Sequence, residues 1–275
     1  MQIGFIGTGS MGSMLIEALI TSHAVSPAQI IASNRTRAKV ERLADRFPGI
    51  AAAVDNREVV RRADVVVLCV KPFEYKHALE QVDGALRPEQ ILITITSPVR
   101  VEELERMVPA QVIRVVPSIT NAAKSGLTLI EYGERATPAA RDQVLTLFSR
   151  ISHPVVVEEK FLRIASDLSS CGPAFLSFIL QEMIRSAQEE TGISQEAATF
   201  LTTQMVIGFA ELLKQEIFTL PALQERVLVP GGITGEGLSV LREGIPGLFH
   251  EVFRRTHAKF AAERQKMNEH LFVVE

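Results

Sequence analysis

Two adjacent stretches near the start of the chain decide the fold: Gln2-Ile3-Gly4-Phe5-Ile6 and Gly7-Thr8-Gly9-Ser10-Met11-Gly12. The first is a short apolar run typical of a buried strand. The second has the spacing G-x-G-x-x-G, and apolar residues then recur at helical spacing over residues 11–21. Glycine-rich turns are common, so the pattern is informative because it joins a strand to a helix.

That context is typical of a turn that binds the pyrophosphate of a dinucleotide. Gly7 is expected to make the tight turn, Gly9 to let the backbone approach the ligand, and Gly12 to let the helix pack on the strand. The free amides of the helix N-terminus then face the phosphates. A plain strand-to-helix turn is the alternative. The predicted cofactor-binding residues of the turn are Gly7, Thr8, Gly9, Ser10, Met11 and Gly12.

The end of the second predicted strand distinguishes the two nicotinamide cofactors. An NAD site places an Asp or Glu there for the ribose 2′-hydroxyl, whereas this chain has Ser33-Asn34-Arg35-Thr36-Arg37. This segment has two guanidinium groups and no carboxylate, a combination that suits a ribose 2′-phosphate. We therefore predict that Ser33, Asn34 and Arg35 bind NADP(H), with NAD(H) as the alternative cofactor. The alternative is that Arg35 and Arg37 are solvent-exposed residues at the start of a helix and bind no ligand.

Short apolar strands alternate with amphipathic helices through the first half of the chain, which predicts a parallel sheet covered on both faces. The predicted fold class is α/β, with a Rossmann-type doubly wound, mostly parallel sheet over residues 1–153 and an all-helical domain over residues 154–275. Strands are predicted at 29–32, 65–70, 91–96 and 112–116, with edge strands at 127–130 and 155–157. Helices are predicted at 36–46, 101–107, 137–149, 158–191 with an interruption at Gly172-Pro173, 195–213, 238–243 and 247–271.

The composition bears on possible partners and location. The chain has 275 residues and a net charge of −3, so no basic field attracts nucleic acid or an acidic membrane surface. Its two cysteines predict neither a zinc site nor a disulfide, and no metal is expected. The sequence contains no leader-like segment and no apolar stretch of about 18 residues. The cytoplasm is therefore the expected location.

The helical half carries more apolar surface than its own helices easily cover. Phe175, Phe178, Ile179, Met183 and Ile184 recur along one predicted helix. Apolar surface on this scale is typical of an interface between subunits. A homodimer or larger homo-oligomer is predicted, and a self-contained helical bundle is the alternative.

Two regions predict a substrate site. Lys71, in Val70-Lys71-Pro72, follows the most apolar strand, and ligands of parallel sheets bind beyond the strand carboxyl ends; a surface lysine in a turn is the alternative. In the helical half, Val229-Pro230-Gly231-Gly232-Ile233-Thr234-Gly235-Glu236-Gly237 holds four glycines before a predicted helix. Successive free amides at a helix start suit a small carboxylate. A loop capped by Thr234 is the alternative.

The chain resembles the pyrroline-5-carboxylate reductase family over nearly its whole length. Its most specific motif is Pro230-Gly231-Gly232-Ile233-Thr234, the counterpart of the family signature near the C-terminus. The other motifs are residues 5–12, Ser33-Asn34-Arg35-Thr36, Val70-Lys71-Pro72 and Gly172-Pro173-Ala174. Residues 151–154, 170–175 and 219–225 resemble the late-competence-operon branch of the family.

The resemblance implies an enzyme that reduces the cyclic imine 1-pyrroline-5-carboxylate to proline with NAD(P)H. A protonated imine is already electrophilic, so the protein mainly orients it and excludes water. Thr234, which would hydrogen-bond the ring nitrogen, and Lys71 are the predicted catalytic residues. Val70, Lys71, Pro72 and Ser97 would lie close to the cofactor, and the predicted substrate-binding set is Ser118, Ser169, Gly231, Gly232, Ile233 and Thr234.

Several departures from the family pattern fall where nicotinamide and substrate would meet. Val229 stands where the family has a serine, and Ser118 lies where the family has Met-Pro-Asn-Thr-Pro. Ser97-Pro98 replaces a segment ending in Ala-Gly, and Ser170-Cys171 replaces Gly-Ser. Two further functions therefore stay open: another NADP-linked reductase, such as a β-hydroxyacid dehydrogenase, and a non-catalytic dinucleotide-binding regulator.

Overall fold

In the structure, a computed structural model that describes residues 1–272, strands alternate with helices before the chain becomes wholly helical. The strands are β1 (Ile3–Ile6), β2 (Ile30–Ser33), β3 (Ala51–Ala52), β4 (Val65–Leu68), β5 (Ile91–Thr94), β6 (Gln111–Val116), β7 (Leu127–Tyr132) and β8 (His153–Val156). The intervening helices are α1 (Ser10–Thr21), α2 (Arg37–Arg46), α3 (Asn56–Arg62), α4 (Tyr75–Glu80), α5 (Val101–Met107) and α6 (Pro138–Ser149). The helices after β8 are α7 (Glu159–Ser166), α8 (Gly172–Thr191), α9 (Gln195–Lys214), α10 (Leu220–Val227), α11 (Ile233–Gly244) and α12 (Leu248–Phe272).

The strands form one sheet in the order β3-β2-β1-β4-β5-β6-β7-β8. Neighbouring strands from β3 to β6 run parallel, whereas β7 pairs antiparallel with β6 and parallel with β8. Because the chain moves outward from β1 to β3 and then returns to place β4 on the other side of β1, the strand order reverses at β1. Open sheets bind ligands at such a reversal. The predicted fold class is confirmed.

Helices cover both faces of the sheet, which explains why strands such as β4 are apolar throughout. On one face, Phe5 and Val67 pack against apolar residues of α1, α2 and α6. On the other face, Ile6 and Leu68 pack with α3, α4 and α5. Met267 of α12 is buried in this second layer. The last helix therefore ends as part of the core around the sheet.

Packing divides the chain into two compact units, Met1–Pro173 with the part of α12 from Thr256 onward, and Ala174–Arg255. The domain boundary predicted from the sequence falls between residues 153 and 154. The difference arises because β8, α7 and the end of α12 pack with the sheet, as the burial of Leu162 and Met267 shows. Residues 273–275 of the predicted helical domain lie outside the described residues.

The helical stretch over residues 159–191 does not end at Gly172-Pro173, but its α-helical geometry is interrupted immediately before these residues. A π-helical turn, Asp167–Cys171, joins α7 to α8. Pro173 has no amide hydrogen for the carbonyl of Ser169, and in an α-helix its ring would clash with that carbonyl. Widening the preceding turn relieves the clash without ending the helix.

The second unit has almost no core of its own. Among its described residues only Ala198 and Thr202 are buried. Large apolar side chains lie exposed on α8, α9, α10 and α11, including Leu176, Phe178, Ile179, Met183, Phe200, Leu201, Met205, Ile207, Leu220, Val240 and Leu241. Four helices with this distribution need a further apolar surface to pack against.

Candidate functional site

A cleft of ≈ 710 Å³ opens beyond the carboxyl ends of β1, β2 and β4. Its walls are the glycine turn after β1, the segment after β2, the start of α3, and the segment from β4 into α4. The location is the one expected for an open parallel sheet. Predicted cofactor residues that line it together are Gly7, Gly9, Ser33, Asn34, Arg35, Val70 and Lys71.

The three glycines of the turn have different structural roles. Gly7 has a φ of +100°, and a Cβ there would lie 2.6 Å from the carbonyl oxygen of Cys69. A Cβ at Gly12 would collide with the carbonyl oxygen of Gly7. A Cβ at Gly9, by contrast, would meet nothing within 4 Å. Packing within the protein therefore requires Gly7 and Gly12, whereas Gly9 leaves open space for a ligand to approach the backbone.

The start of α1 fits an anionic ligand. Gly9 is the N-cap of α1, and no side chain among the described residues caps it, so the first amides of the helix remain available. The hydroxyl of Thr8 is buried and has no hydrogen-bond partner within residues 1–272. Uncapped amides, an orphaned hydroxyl and the gap at Gly9 together suit the pyrophosphate of a dinucleotide.

The segment after β2 supplies the cationic side of the cleft. The Asn34 side chain accepts a hydrogen bond from the Thr8 amide at 3.1 Å, which ties this segment to the glycine turn. Arg35 Nη1 lies 3.1 Å from Glu74 Oε1, and the other Glu74 oxygen accepts from the Lys71 amide at 3.2 Å. Arg37 pairs with Glu41 on α2 and does not line the cleft.

The side of the cleft formed by α3 and α4 was not predicted from the sequence. The lining residues from these helices and their flanks include Asp55, Asn56, Arg57, Glu74, His77 and Gln81, and Lys39 of α2 lines it too. A local signal existed for α3. Asp55 accepts from the amide of Glu58 at 2.7 Å while Glu58 accepts from the amide of Val54 at 2.9 Å, which is the D-x-x-E capping pattern. The Val54 hydrogen bond is the largest cause of the lowered pKa of Glu58.

Two ionisable groups near the cleft stay protonated. Burial raises the pKa of the Cys69 thiol far above its usual range, so Cys69 supplies neither a nucleophile nor a metal-binding thiolate. Burial also raises the pKa of Tyr75 to about 12, and its hydroxyl lies 2.7 Å from Thr94 Oγ1. Cys69 lines the cleft and Tyr75 is fully buried, and neither group gains or loses a proton near neutral pH.

The remaining predicted cofactor residues do not line the cleft. Ser10 lines a neighbouring groove with Lys39 and Arg42. Met11 packs against the core. Pro72 begins a 3-10 turn, and Ser97 follows β5.

Ser118 and Ser169 lie together, and the contact explains the π-helical turn. The Ser118 hydroxyl donates to the Ser169 carbonyl at 2.9 Å, which supplies the hydrogen bond that Pro173 cannot give. The Ser170 hydroxyl donates to the Pro117 carbonyl at 3.1 Å. Because Ser118 is only 1% exposed, its hydroxyl is committed to this internal contact.

The predicted substrate turn lies in the second unit. Gly231 has a φ of +71°, and Gly232 is the N-cap of α11 without a side-chain cap among the described residues. The predicted helix start at residue 238 is wrong, because α11 begins at Ile233 and Gly235 and Gly237 lie inside it. The alternative of a loop capped by Thr234 is excluded as well, because Thr234 lies within the helix. Ile233 is 92% exposed. Thr234 lines a groove of ≈ 380 Å³ together with Phe209, Leu220, Leu223, Gln224, Val227 and Leu238.

Neither a membrane span nor a metal centre is found among the described residues. No helix within residues 1–272 is long and apolar enough to cross a bilayer. The same residues contain no group of three or more His, Cys, Asp or Glu side chains that could hold a metal ion.

The doubly wound sheet and the cleft at its glycine turn are typical of a dinucleotide-binding protein. Residues 2–98 match a family model described as NADP oxidoreductase, coenzyme F420-dependent, and residues 159–263 match one described as pyrroline-5-carboxylate reductase dimerisation. The chain belongs to the pyrroline-5-carboxylate reductase family. The dimerisation match supports a homo-oligomer.

Individual relatives align over almost the whole chain. ComE operon protein 4 of Bacillus subtilis is 43% identical over 94% of this chain and 95% of its own length. Pyrroline-5-carboxylate reductase of Methanosarcina acetivorans is 31% identical over 96% of this chain and 97% of its own. The solved pyrroline-5-carboxylate reductase of Coxiella burnetii is 25% identical, covers 97% of this chain and 98% of its own, and has a TM-score of 0.83.

Proposed function

We propose that this chain is an NADP(H)-dependent reductase that converts 1-pyrroline-5-carboxylate to proline. The observation that carries the proposal is the cleft, which joins the uncapped start of α1 to Asn34, Arg35 and Lys71 and has no acid in the segment directly after β2. Relatives that align along nearly the whole chain are named as reductases of this substrate.

The cofactor half of the proposal rests on charge. The amides after Gly9 would hold the pyrophosphate, and Ser33, Asn34 and Arg35 would hold a 2′-phosphate. Arg35 would exchange the Glu74 carboxylate for that phosphate, while Lys39 and Arg57 add positive charge to the same cleft. The bound dihydronicotinamide supplies a hydride for the substrate.

The substrate half rests on the start of α11. Its free amides after Gly232 would hold the substrate carboxylate, and Thr234 would accept a hydrogen bond from the protonated ring nitrogen. Reduction adds a hydride to the imine carbon, the carbon–nitrogen double bond becomes single, and the nitrogen keeps its proton. Lys71, at the cleft, would favour an anionic substrate by its charge.

The test follows NADPH absorbance on mixing the purified protein with pyrroline-5-carboxylate. We expect turnover, and we expect Thr234→Ala to lower kcat/KM by about ten- to a hundredfold with NADPH affinity unchanged. The matched control is Ser239→Ala, which removes an exposed hydroxyl on the same helix and should leave kcat/KM unchanged. Turnover that is unaffected by Thr234→Ala would reject the assigned role of Thr234.

A dinucleotide-binding regulator is the second candidate. It is favoured by the Ser118 hydroxyl, which bonds the π-helical turn, and by the exposed Val229 beside the substrate turn. A protein that binds NADPH in calorimetry yet leaves pyrroline-5-carboxylate and other cyclic imines untouched would establish this candidate. Turnover of another imine alone would keep the reductase and reject the substrate.

A further inference from the structure

Four side chains that line the cleft form one hydrogen-bonded chain from the end of β2 to α4. Ser33 Oγ donates to Asn56 Oδ1 at 2.6 Å, and Asn56 Nδ2 donates to Gln81 Oε1 at 2.5 Å. Gln81 Nε2 then lies 2.9 Å from His77 Nε2. Because an amide nitrogen can only donate, every hydrogen bond points toward His77, whose Nε2 must accept and therefore carry no proton.

This direction fixes what Ser33 can offer to a ligand. Its hydroxyl proton is committed to Asn56, so only the lone pairs of Oγ remain for a group in the cleft. Lone pairs suit a ribose 2′-hydroxyl, which can donate a hydrogen bond. They repel the unprotonated oxygens of a phosphate, which can only accept.

Protonation of His77 would reverse the whole chain. An imidazolium has two N–H donors and no acceptor, so Gln81 would have to turn its oxygen toward His77 and its nitrogen toward Asn56. Asn56 would then donate to Ser33, and the Ser33 proton would become free to point into the cleft. Reversing the hydrogen bonds requires only rotation of the Gln81 and Asn56 side-chain amides and of the Ser33 hydroxyl, and the backbone stays in place.

We propose that His77 is a specificity-determining residue for the cofactor, acting on Ser33 through Gln81 and Asn56. With neutral His77, Arg35 holds a 2′-phosphate against the unfavourable lone pairs of Ser33, and with protonated His77 the Ser33 hydroxyl adds a hydrogen-bond donor for that phosphate. Histidine changes charge between about pH 5 and 8, so the preference for NADPH over NADH increases as the pH falls. The inference rests on the proposed nicotinamide dinucleotide cofactor and adds a control of cofactor choice.

Other charged groups share the cleft with His77 and act on the same ligand. They are Arg35 and Lys39 from the β2 side, Asp55 and Arg57 at the start of α3, and Lys71 and Glu74 between β4 and α4. Lys76 and Glu80 lie on α4 with His77 but do not line the cleft. None of them belongs to the hydrogen-bonded chain of four. Variants at His77 and Gln81 keep all of these charged groups. The effects of the charged groups on cofactor binding therefore cancel when such a variant is compared with the wild type.

The test measures dissociation constants for NADPH and NADH by calorimetry at about pH 6 and about pH 8. In the wild type, the ratio of NADH to NADPH dissociation constants should be about tenfold larger at the lower pH, the effect of one hydrogen bond to a charged group. His77→Leu removes the final acceptor, and Gln81→Leu breaks the chain while the imidazole charge stays. Both variants should lose this pH dependence, apart from the titration of the phosphate itself, which all the proteins share. His153→Leu, an exposed histidine outside the cleft, is the matched control and should behave as the wild type.

The possible results of this experiment test the hydrogen-bonded chain and the proposed cofactor separately. A Gln81→Leu protein that keeps the wild-type pH dependence would show that only the imidazole charge acts, and the proposed chain would be rejected. Equal pH dependence in all four proteins would also reject it. Failure of the wild type to bind either cofactor would instead reject the proposed function. Melting temperatures near that of the wild type would confirm that the exposed substitutions leave the fold intact.

Discussion

Arg35 and Arg37 lie two residues apart, yet only Arg35 lines the cleft. Arg35 is 89% exposed, and its guanidinium is paired across the cleft with Glu74. Arg37 is paired with Glu41 one helical turn along α2 and faces away from the lining of the cleft. Exposed ion pairs contribute little to stability, so each pair can be broken to test binding without unfolding the protein.

We expect Arg35→Asp to weaken NADPH binding by roughly ten- to a hundredfold, because a charge-assisted contact with the phosphate becomes a repulsion. NADH binding should weaken much less, since NADH lacks the 2′-phosphate. Calorimetric titration of both cofactors measures the effect. Arg37→Asp is the matched control, and a loss of NADPH affinity there equal to that of Arg35→Asp would contradict the assignment.

Tyr75 gives a second prediction at this scale, because burial raises its pKa from 10.0 to about 12. A raised pKa of an acid means that the neutral phenol is stabilised by folding. This contribution is complete below pH 10, where the unfolded tyrosine is also neutral, and it is lost as the pH rises toward about 12.

The chain has two tyrosines and no tryptophan, so phenolate absorbance reports Tyr75 and Tyr132 alone. Burial raises the pKa of Tyr132 as well. We expect little phenolate in the folded protein at pH 10, the ordinary pKa of a tyrosine, and Tyr75→Phe should remove the part of the signal that appears near pH 12. Half of the full absorbance at pH 10 in the folded protein would contradict the burial of Tyr75.

At the scale of elements, the π-helical turn is the main departure from a regular helix. Its first residue, Asp167, is buried and accepts hydrogen bonds from Arg163 Nη2 and Thr256 Oγ1, both at 2.7 Å. His257 Nε2 lies 3.5 Å from the same carboxylate. A buried carboxylate requires such partners, so Asp167 ties the turn to α12 within the first unit.

The hydrogen bond from Ser118 to this turn predicts a coupling between two substitutions. Ser118→Ala should destabilise the protein by about 1–2 kcal/mol, because the Ser169 carbonyl loses its donor. Pro173→Ala supplies an amide hydrogen at the position that an α-helix uses, so Ser118→Ala should cost less in that background. Urea unfolding of the four proteins gives the coupling energy. Additive effects would show that Pro173 is unrelated to the Ser118 contact.

The elements that sequence analysis identified are those with strong periodicity. The apolar runs of β1, β4, β5 and β6 and the spacing in α1 predict both type and position, because burial on a regular element leaves a regular pattern. The short helices α3 and α4 and the two-residue strand β3 were missed, because elements this short contain too few residues to show a periodic apolar pattern. The helix α10 was missed as well, although Thr219 caps it and Pro221 stands in its first turn.

At the scale of the whole molecule, the second unit explains why self-association is expected. Phe178 on α8 is 64% exposed, and it lies in the region that matches the family's dimerisation model. Light scattering at micromolar concentration should give a dimer or a larger homo-oligomer. We expect Phe178→Asp to shift the protein toward monomer, because a charge would enter an apolar interface.

Val156→Asp is the control for that substitution. Val156 is 57% exposed and apolar, but it lies on β8, outside the matched residues 159–263. Its replacement should leave the measured mass unchanged. A wild-type monomer, or equal dissociation by both variants, would contradict an interface on the helices of the second unit.

The sequence alone determined the glycine turn, the alternation of strands and helices, and the family, because each of these depends on residues close together in the chain. Tertiary structure decided which residues meet at the site. Ser33 contacts Asn56 across 23 positions, Asn56 contacts Gln81 across 25, and Ser118 contacts Ser169 across 51. The separations reflect the strand order, which returns the chain to β1 before it forms β4. A hydrogen bond forms only when the donor–acceptor distance is within a few tenths of an ångström of its preferred value. Only the packing of the sheet and its helices fixes the positions of these side chains that closely.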